Sequence, residues 1–338
     1  MRRVLGALAV TFMTTGSAFS DAQLLDWSDL QGWARDDHDL AVQVFQNTCM
    51  DMKDGDWPAI CEYAKTQTDA RAFFETFFRP VMIVDDEPPL FTGYYEPELP
   101  GSRNRTSRFN VPLHQLPDDV PEGPWLTRAE LEETGVLQDR GLEIAWLEDP
   151  VDKFFLQVQG SGRIALQDGD RLRVGYGGKN GHEYRSVGKE LIRRGIFEPH
   201  QVSAAVIRNW VQENPEEGRK LLHHNPSYVF FREVTRLSPD EGPLGAMNRA
   251  LTAGRSLAVD PDVVPLGAPV WLEKDGAEPI RRLMIAQDTG SAVKGAQRAD
   301  VFYGSGDKAG DIAGRIRDNG RMVVLLPIAD ALALVDRG

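Results

Sequence analysis

The sequence predicts a mainly β protein with an N-terminal helical region, and three observations carry that expectation. The apolar spacing is helical up to about Arg79 and becomes strand-like from Val81 onward. Short apolar runs at Ser256–Val259, Pro269–Leu272, Leu283–Ala286, Asp300–Tyr303 and Met322–Leu326 are separated by Gly and Pro turns, a pattern that suggests a barrel. The composition, 41% hydrophobic and 26% charged over 338 residues, supplies a full core for about two domains and excludes fibrous and low-complexity classes.

The first 20 residues read as a secretory signal peptide. Arg2 and Arg3 precede the apolar stretch Val4–Phe12, too short to span a bilayer, and small Ala18 and Ser20 suit cleavage before Asp21. The net charge of −13 becomes −15 once Arg2 and Arg3 are removed (36 basic against 51 acidic residues). A broad nucleic-acid binder would be basic, so that class is excluded. Export means an oxidising compartment, where Cys49 and Cys61 are expected to pair and fasten two N-terminal helices.

Between Asp21 and Arg79, Leu24, Trp27, Leu30 and Trp33 recur at helical spacing, as do Phe73, Phe74, Phe77 and Phe78; these aromatics suit a core. Val81–Val84 and Leu90–Tyr95 read as strands, bounded by Asp85-Asp86-Glu87-Pro88-Pro89. Thr127-Arg128-Ala129-Glu130 is a capping box that starts a helix stopped at Gly135. Phe154–Val158 and Leu172–Tyr176 read as strands of a hairpin around Asp168-Gly169-Asp170. Helices follow at Val187–Arg194 and Ser203–Glu213, and a third is opened by Asn214-Pro215-Glu216-Glu217.

Several catalytic patterns fail. Gly177-Gly178-Lys179-Asn180 lacks the Ser/Thr after Lys and the upstream Gly of a phosphate loop. Gln159-Gly160-Ser161-Gly162 lacks the leading Gly of a nucleophile elbow. Adjacent His223 and His224 would point apart on a helix, and no His-Glu-x-x-His pair exists, so no metal site is expected. The chemistry instead gathers on three segments that read as apolar strand, aspartate, then turn: Leu257–Pro261, Ile285–Gly290 and Ala299–Gly304, carrying Asp260, Asp288 and Asp300. An acid beside a strand in a partly buried cleft favours its protonated form and suits a general acid. Each taken singly reads first as an acid bonding turn amides.

Taken in order, several stretches resemble the membrane-bound lytic murein transglycosylase A family. They are Gly93-Tyr94-Tyr95-Glu96-Pro97, Val158-Gln159-Gly160-Ser161-Gly162, Gly177 through Gly188, Asn225-Pro226-Ser227-Tyr228-Val229-Phe230-Phe231, and Ala286 through Gly295 with Asp260 and Asp300 as a three-aspartate domain. The resemblance implies a double-psi β-barrel domain (21–99 plus 232–338) interrupted by a smaller β-barrel domain (100–231), with a deep groove between them. It implies cleavage of the β-1,4 bond between N-acetylmuramic acid and N-acetylglucosamine in peptidoglycan glycan strands, with formation of 1,6-anhydromuramic acid. Asp300 would serve as acid and then base, supported by Asp288 and Asp260. Tyr94, Tyr95, Gln159, Ser161, Lys179, Asn180 and Lys294 would bind sugar, and Gly160 and Gly162 would let the glycan approach the backbone. No metal or organic cofactor is implied. No cysteine lies near the expected cleavage point, so no lipid anchor is expected, and the location read from this is soluble, in the periplasm or secreted, with outer-membrane association left open. Two other readings keep the groove: an expansin-like glycan-binding protein without catalysis, and a water-using hydrolase with Glu96 or Asp288 as second carboxylate.

Overall fold

The computed structural model describes residues 21–336; the expected signal peptide lies outside the described residues. Two sheets organise the chain. The larger has nine strands in the order Asp21–Leu24, Phe78–Val84, Gly320–Pro327, Pro269–Lys274, Ile280–Thr289, Ser256–Val259, Arg298–Ser305, Leu90–Glu96 and Arg317–Asp318. It is the barrel of the expected fold and draws strands from both ends of the chain. Its two parallel pairings join Ser256–Val259 to Ile280–Thr289 and Leu90–Glu96 to Arg298–Ser305. The smaller sheet has six strands, Val111–His114, Glu143–Leu147, Glu98–Ser102, Gly162–Leu166, Arg171–Lys179 and Val229–Glu233, and a bridge from Gln115 to Phe231 draws its two edges together. The expected architecture, a barrel interrupted by a smaller β unit, is thus observed.

The Pro269–Lys274 strand is buried along its whole length, as befits a strand with a neighbour on each side and layers on both faces. Trp271 fills the space between barrel and N-terminal helices and meets the ring of Trp33 edge-on. The helices His38–Cys49, Trp57–Ala64 and Ala70–Phe77 cover that end. Phe45, Phe73, Phe74 and Phe78 interlock there as core, as their spacing suggested. Cys49 and Cys61 are joined, with Cα atoms 5.5 Å apart, and tie the first two of these helices together.

Three expectations of local structure are corrected. Asp21–Leu24 is a strand, paired with Val81–Val84, and Trp27 and Trp33 lie in short 3-10 turns; four residues alternating at the barrel edge gain more from cross-strand bonds than from a lone helical turn. Phe154–Val158 belongs to the helix Pro150–Gln159. Asp149 caps that helix by accepting a bond from the Val151 amide, and Pro150 opens it, a start signal that outweighs the short apolar run. The hairpin around Asp168–Asp170 is real, but its first strand is Gly162–Leu166. Asn214 precedes the helix Pro215–His223 without a side-chain cap, because its amide donates to the Trp210 carbonyl behind it.

Candidate active site

A single row of residues across the barrel sheet assembles the site. Ala258 is paired with Asp288 on one side and with Asp300 on the other, and Asp300 is paired in turn with Thr92. Directly opposed residues share one face of a sheet, so both carboxylates and the threonine emerge on the same side. With strands about 4.8 Å apart, the two aspartates stand roughly 10 Å apart at the backbone, across a methyl side chain. Ala258 therefore leaves open space where a larger residue would fill it. Gly93, Tyr94, Ala258, Asp288 and Asp300 line the barrel wall of a cleft of about 210 Å³. Arg128, Gln157, Gln159, Tyr184, Asn225 and Ser227 supply the facing wall.

Asp300 lies within a strand rather than at its end, which corrects the strand-then-turn reading of that segment. Its Oδ1 accepts hydrogen bonds from Thr92 Oγ1 and from Arg298 Nη1, and Arg298 Nη2 donates to Thr92 Oγ1 at 3.0 Å. A guanidinium thus stands directly beside this acid.

Asp288 has different surroundings. Its Oδ1 accepts from the amides of Ala246 and Thr289, both at 2.9 Å, and its Oδ2 accepts from the Tyr94 hydroxyl at 2.9 Å. Burial lifts its pKa to about 6; the nearby Asp300 charge adds to the rise, while the three hydrogen bonds oppose it. Burial, and then the charge of Asp288, pushes the Tyr94 phenol well above its usual value, so Tyr94 remains a donor. Because folding raises the Asp288 pKa, the folded state holds this proton more tightly than the unfolded chain. The resulting stabilisation is complete below about pH 4 and declines as pH rises toward 6. Asp288→Asn, which stays neutral, should accordingly gain thermal stability relative to the parent between pH 4 and 6.5. A difference in Tm that stays flat across that range, measured by thermal unfolding, would count against this environment for Asp288.

Asp260 lies outside the cleft. Its carboxylate accepts from Lys294 Nζ at 2.9 Å, from the Gly295 amide at 3.0 Å and from the Asp262 amide at 3.3 Å. Burial alone would raise its pKa, but these donors bring it below the usual carboxylate range. Asp260 and Lys294 thus join two loops, and neither lines the cleft.

The nominated sugar-binding residues divide as well. Tyr94 and Gln159 line the cleft; the Gln159 Oε1 also accepts from the Tyr95 amide at 3.1 Å, while the Tyr95 ring lies beside Gly310. Gly160, at φ +79°, is the left-handed stop of the Pro150–Gln159 helix. Gly162 is required by packing, since a Cβ there would meet Leu156 Cδ1 at 2.3 Å. Ser161 joins the two outside the cleft lining, and Lys179 sits 3.7 Å from Glu183. Asn180 is corrected outright: it is fully buried, its amide donates to the Leu126 and Pro226 carbonyls, and its Oδ1 accepts from the Tyr228 amide. A fully buried side chain with both donors and its carbonyl oxygen engaged by backbone is out of reach of a sugar.

Sequence reasoning missed Thr92 and Arg298, which touch Asp300, and Arg128, Gln157, Tyr184, Asn225 and Ser227 on the facing wall. Thr92 was legible in principle, because strand alternation places it on the face of Tyr94. Arg298 likewise stands two residues before Asp300. Among the described residues there is no cluster of His, Cys, Asp and Glu arranged to hold a metal ion.

The fold and the cleft together define a barrel protein with a smaller inserted β unit and an aspartate pair at their junction. Comparison with known proteins agrees. The pattern of the MltA specific insert domain matches residues 90–232, and that of the 3D domain matches residues 255–326. The crystal structure of a membrane-bound lytic murein transglycosylase from Agrobacterium tumefaciens is 32% identical, with a TM-score of 0.82 over 93% of this chain and 99% of that one. Escherichia coli MltA with bound chitohexaose is 28% identical, with a TM-score of 0.73 over 94% of this chain and 97% of that one. The membrane-bound lytic murein transglycosylase A of Vibrio cholerae is 37% identical over 244 residues, which make up 69% of this chain and 64% of that protein. The match therefore spans just under two thirds of that relative's length. The chain belongs to the membrane-bound lytic murein transglycosylase A family.

Proposed function

We propose that this protein is a peptidoglycan lytic transglycosylase that cleaves the β-1,4 bond between N-acetylmuramic acid and N-acetylglucosamine with Asp300 as its acid and then its base. The observation that carries this reading is the unequal state of the two carboxylates in the cleft. Asp288 has both oxygens engaged by fixed donors, whereas the bonds from Thr92 and Arg298 fall on Oδ1 of Asp300. A hydrolase needs a second carboxylate free to attack or to activate water. Asp288 is held by Tyr94 and two amides, and Glu96 is fully buried between two arginines, so neither suits that role.

In the proposed reaction, Asp300 gives its proton to the leaving O4 as the bond from the muramoyl C1 breaks. The muramoyl O6 hydroxyl then attacks C1, and its proton passes to the Asp300 carboxylate, so the enzyme ends as it began. The nucleophile belongs to the substrate, and its intramolecular attack replaces the missing second carboxylate. Oδ2 of Asp300 would exchange the proton, while Thr92 and Arg298 hold Oδ1 and stabilise the carboxylate formed midway. Asp288 and Tyr94 fix the adjoining wall. The exported location read from residues 1–20 would bring the enzyme to its polymer.

Digestion of purified peptidoglycan, followed by mass spectrometry of the released fragments, tests the reading. Muropeptides one water lighter than hydrolysis products are expected. Reducing-end products would establish a hydrolase, and binding without release would establish a glycan-binding protein.

A further inference from the structure

Glu96 ends the strand that carries Thr92 and Tyr94, and strand alternation sets all three on one face. Thr92 meets Asp300, Tyr94 meets Asp288, and Glu96 meets the smaller sheet. Its side chain is fully buried. Oε2 accepts from Arg163 Nε and from Ser305 Oγ, at 2.8 and 2.7 Å, and Arg173 Nε lies 3.0 Å from Oε1. Arg163 and Arg173 come from the strands Gly162–Leu166 and Arg171–Lys179 of the smaller sheet, whereas Ser305 ends the barrel strand that carries Asp300. Both arginines also donate to the Glu241 carbonyl, at 3.1 and 2.7 Å, on the segment by which the chain returns to the barrel. One carboxylate thus gathers the outgoing crossing, the returning crossing, the end of the Asp300 strand and two strands of the smaller sheet.

We propose that Glu96 is a positioning residue, a brace that fixes the smaller sheet against the barrel and so holds the far wall of the cleft in register with Asp300. This rests on the proposed glycan-cleaving function only for its kinetic consequence. Asp300, Asp288, Thr92 and Tyr94 all belong to the barrel, so loosening the brace leaves the reacting groups in place. What it disturbs is the wall formed by Arg128, Gln157, Gln159 and Asn225. Losing a wall that holds ground state and transition state alike raises KM and leaves kcat nearly unchanged.

The test is Glu96→Gln in the full chain, with Ser305→Ala as a milder variant should the first fail to fold. Hydrogen exchange should quicken by about tenfold or more at residues 234–243 and at the Gly162–Leu166 strand, with Pro269–Lys274 unchanged. On peptidoglycan, KM should rise by about tenfold with kcat within about threefold; Ser305→Ala should shift both readouts the same way by less. A role in stability alone would lower Tm and leave the KM of the folded protein unchanged, which would overturn the proposal, as would unchanged exchange at both segments. If the parent protein releases no fragments from peptidoglycan, the functional reading fails, and the exchange pattern alone decides the brace.

Discussion

Asp300→Asn is expected to slow release of peptidoglycan fragments by about 10³-fold or more, since general acid–base catalysis by one positioned group commonly contributes 10²–10⁴-fold. Here the same group acts in both halves of the reaction, so the loss belongs at the upper end. The fold should survive. Asn keeps the shape of Asp, its Oδ1 can still accept from Thr92 and Arg298, and Asp300 lies at the cleft rather than in the core. The substitution should therefore lower kcat with little effect on Tm or on glycan binding. Release at more than a tenth of the parental rate by a folded Asp300→Asn protein would remove Asp300 from the role given to it.

The largest expected effect on stability lies far from the cleft. Asp36 receives both Nη atoms of Arg255, at 2.7 and 3.0 Å, and the Leu283 amide at 2.8 Å; the two side chains are 6% and 5% exposed. This pair joins the N-terminal region to the barrel. Asp36→Ala strands a buried guanidinium and a strand amide together, which should cost about 3–5 kcal/mol. For a chain of this size that corresponds to a fall in Tm of roughly 4–8 °C. Arg255→Met added to Asp36→Ala should recover part of the loss, because the uncompensated charge is then gone. Denaturant unfolding of the parent and the two variants checks both statements, and a loss below about 1 kcal/mol for Asp36→Ala would refute them.

The barrel strands were legible because each is a short apolar run closed by Gly or Pro. Ser256–Val259 matches its observed bounds, and the other four lie inside longer observed strands. What the sequence concealed were the places where a cap or a long-range partner decides. Phe154–Val158 is apolar enough for a strand, and only the Asp149-Pro150 start marks it as helix. Asp21–Leu24 is a strand only because Val81–Val84 lies beside it. At the site, Asp300 and Asp288 were recognisable from their motif segments, and Tyr94 and Gln159 with them. The row that brings the aspartates together was not, since the Ala258 register depends on one parallel and one antiparallel pairing between distant segments that no local pattern encodes. Asn180 and Asp260 sit in equally distinctive segments, yet their polar groups are taken up by backbone or by a loop lysine. A motif reports that a position is constrained, not whether a ligand or the chain itself imposes the constraint.

The splicing of the smaller sheet into the barrel has a consequence for how the molecule comes into being. Thr92 is made early, Ala258, Asp288 and Asp300 late, and the strand Gly320–Pro327 that seals Phe78–Val84 to Pro269–Lys274 later still. As the ribosome works from the N-terminus, the six-strand unit is complete while the barrel still lacks most of its strands. Pairings this distant in sequence form slowly, so barrel closure is expected to be the late step of folding. The cleft is assembled by that closure, and a chain interrupted between about residues 235 and 320 would carry the binding wall without the carboxylates held opposite it. The proposed activity, built this way, would wait on completion of the polypeptide itself.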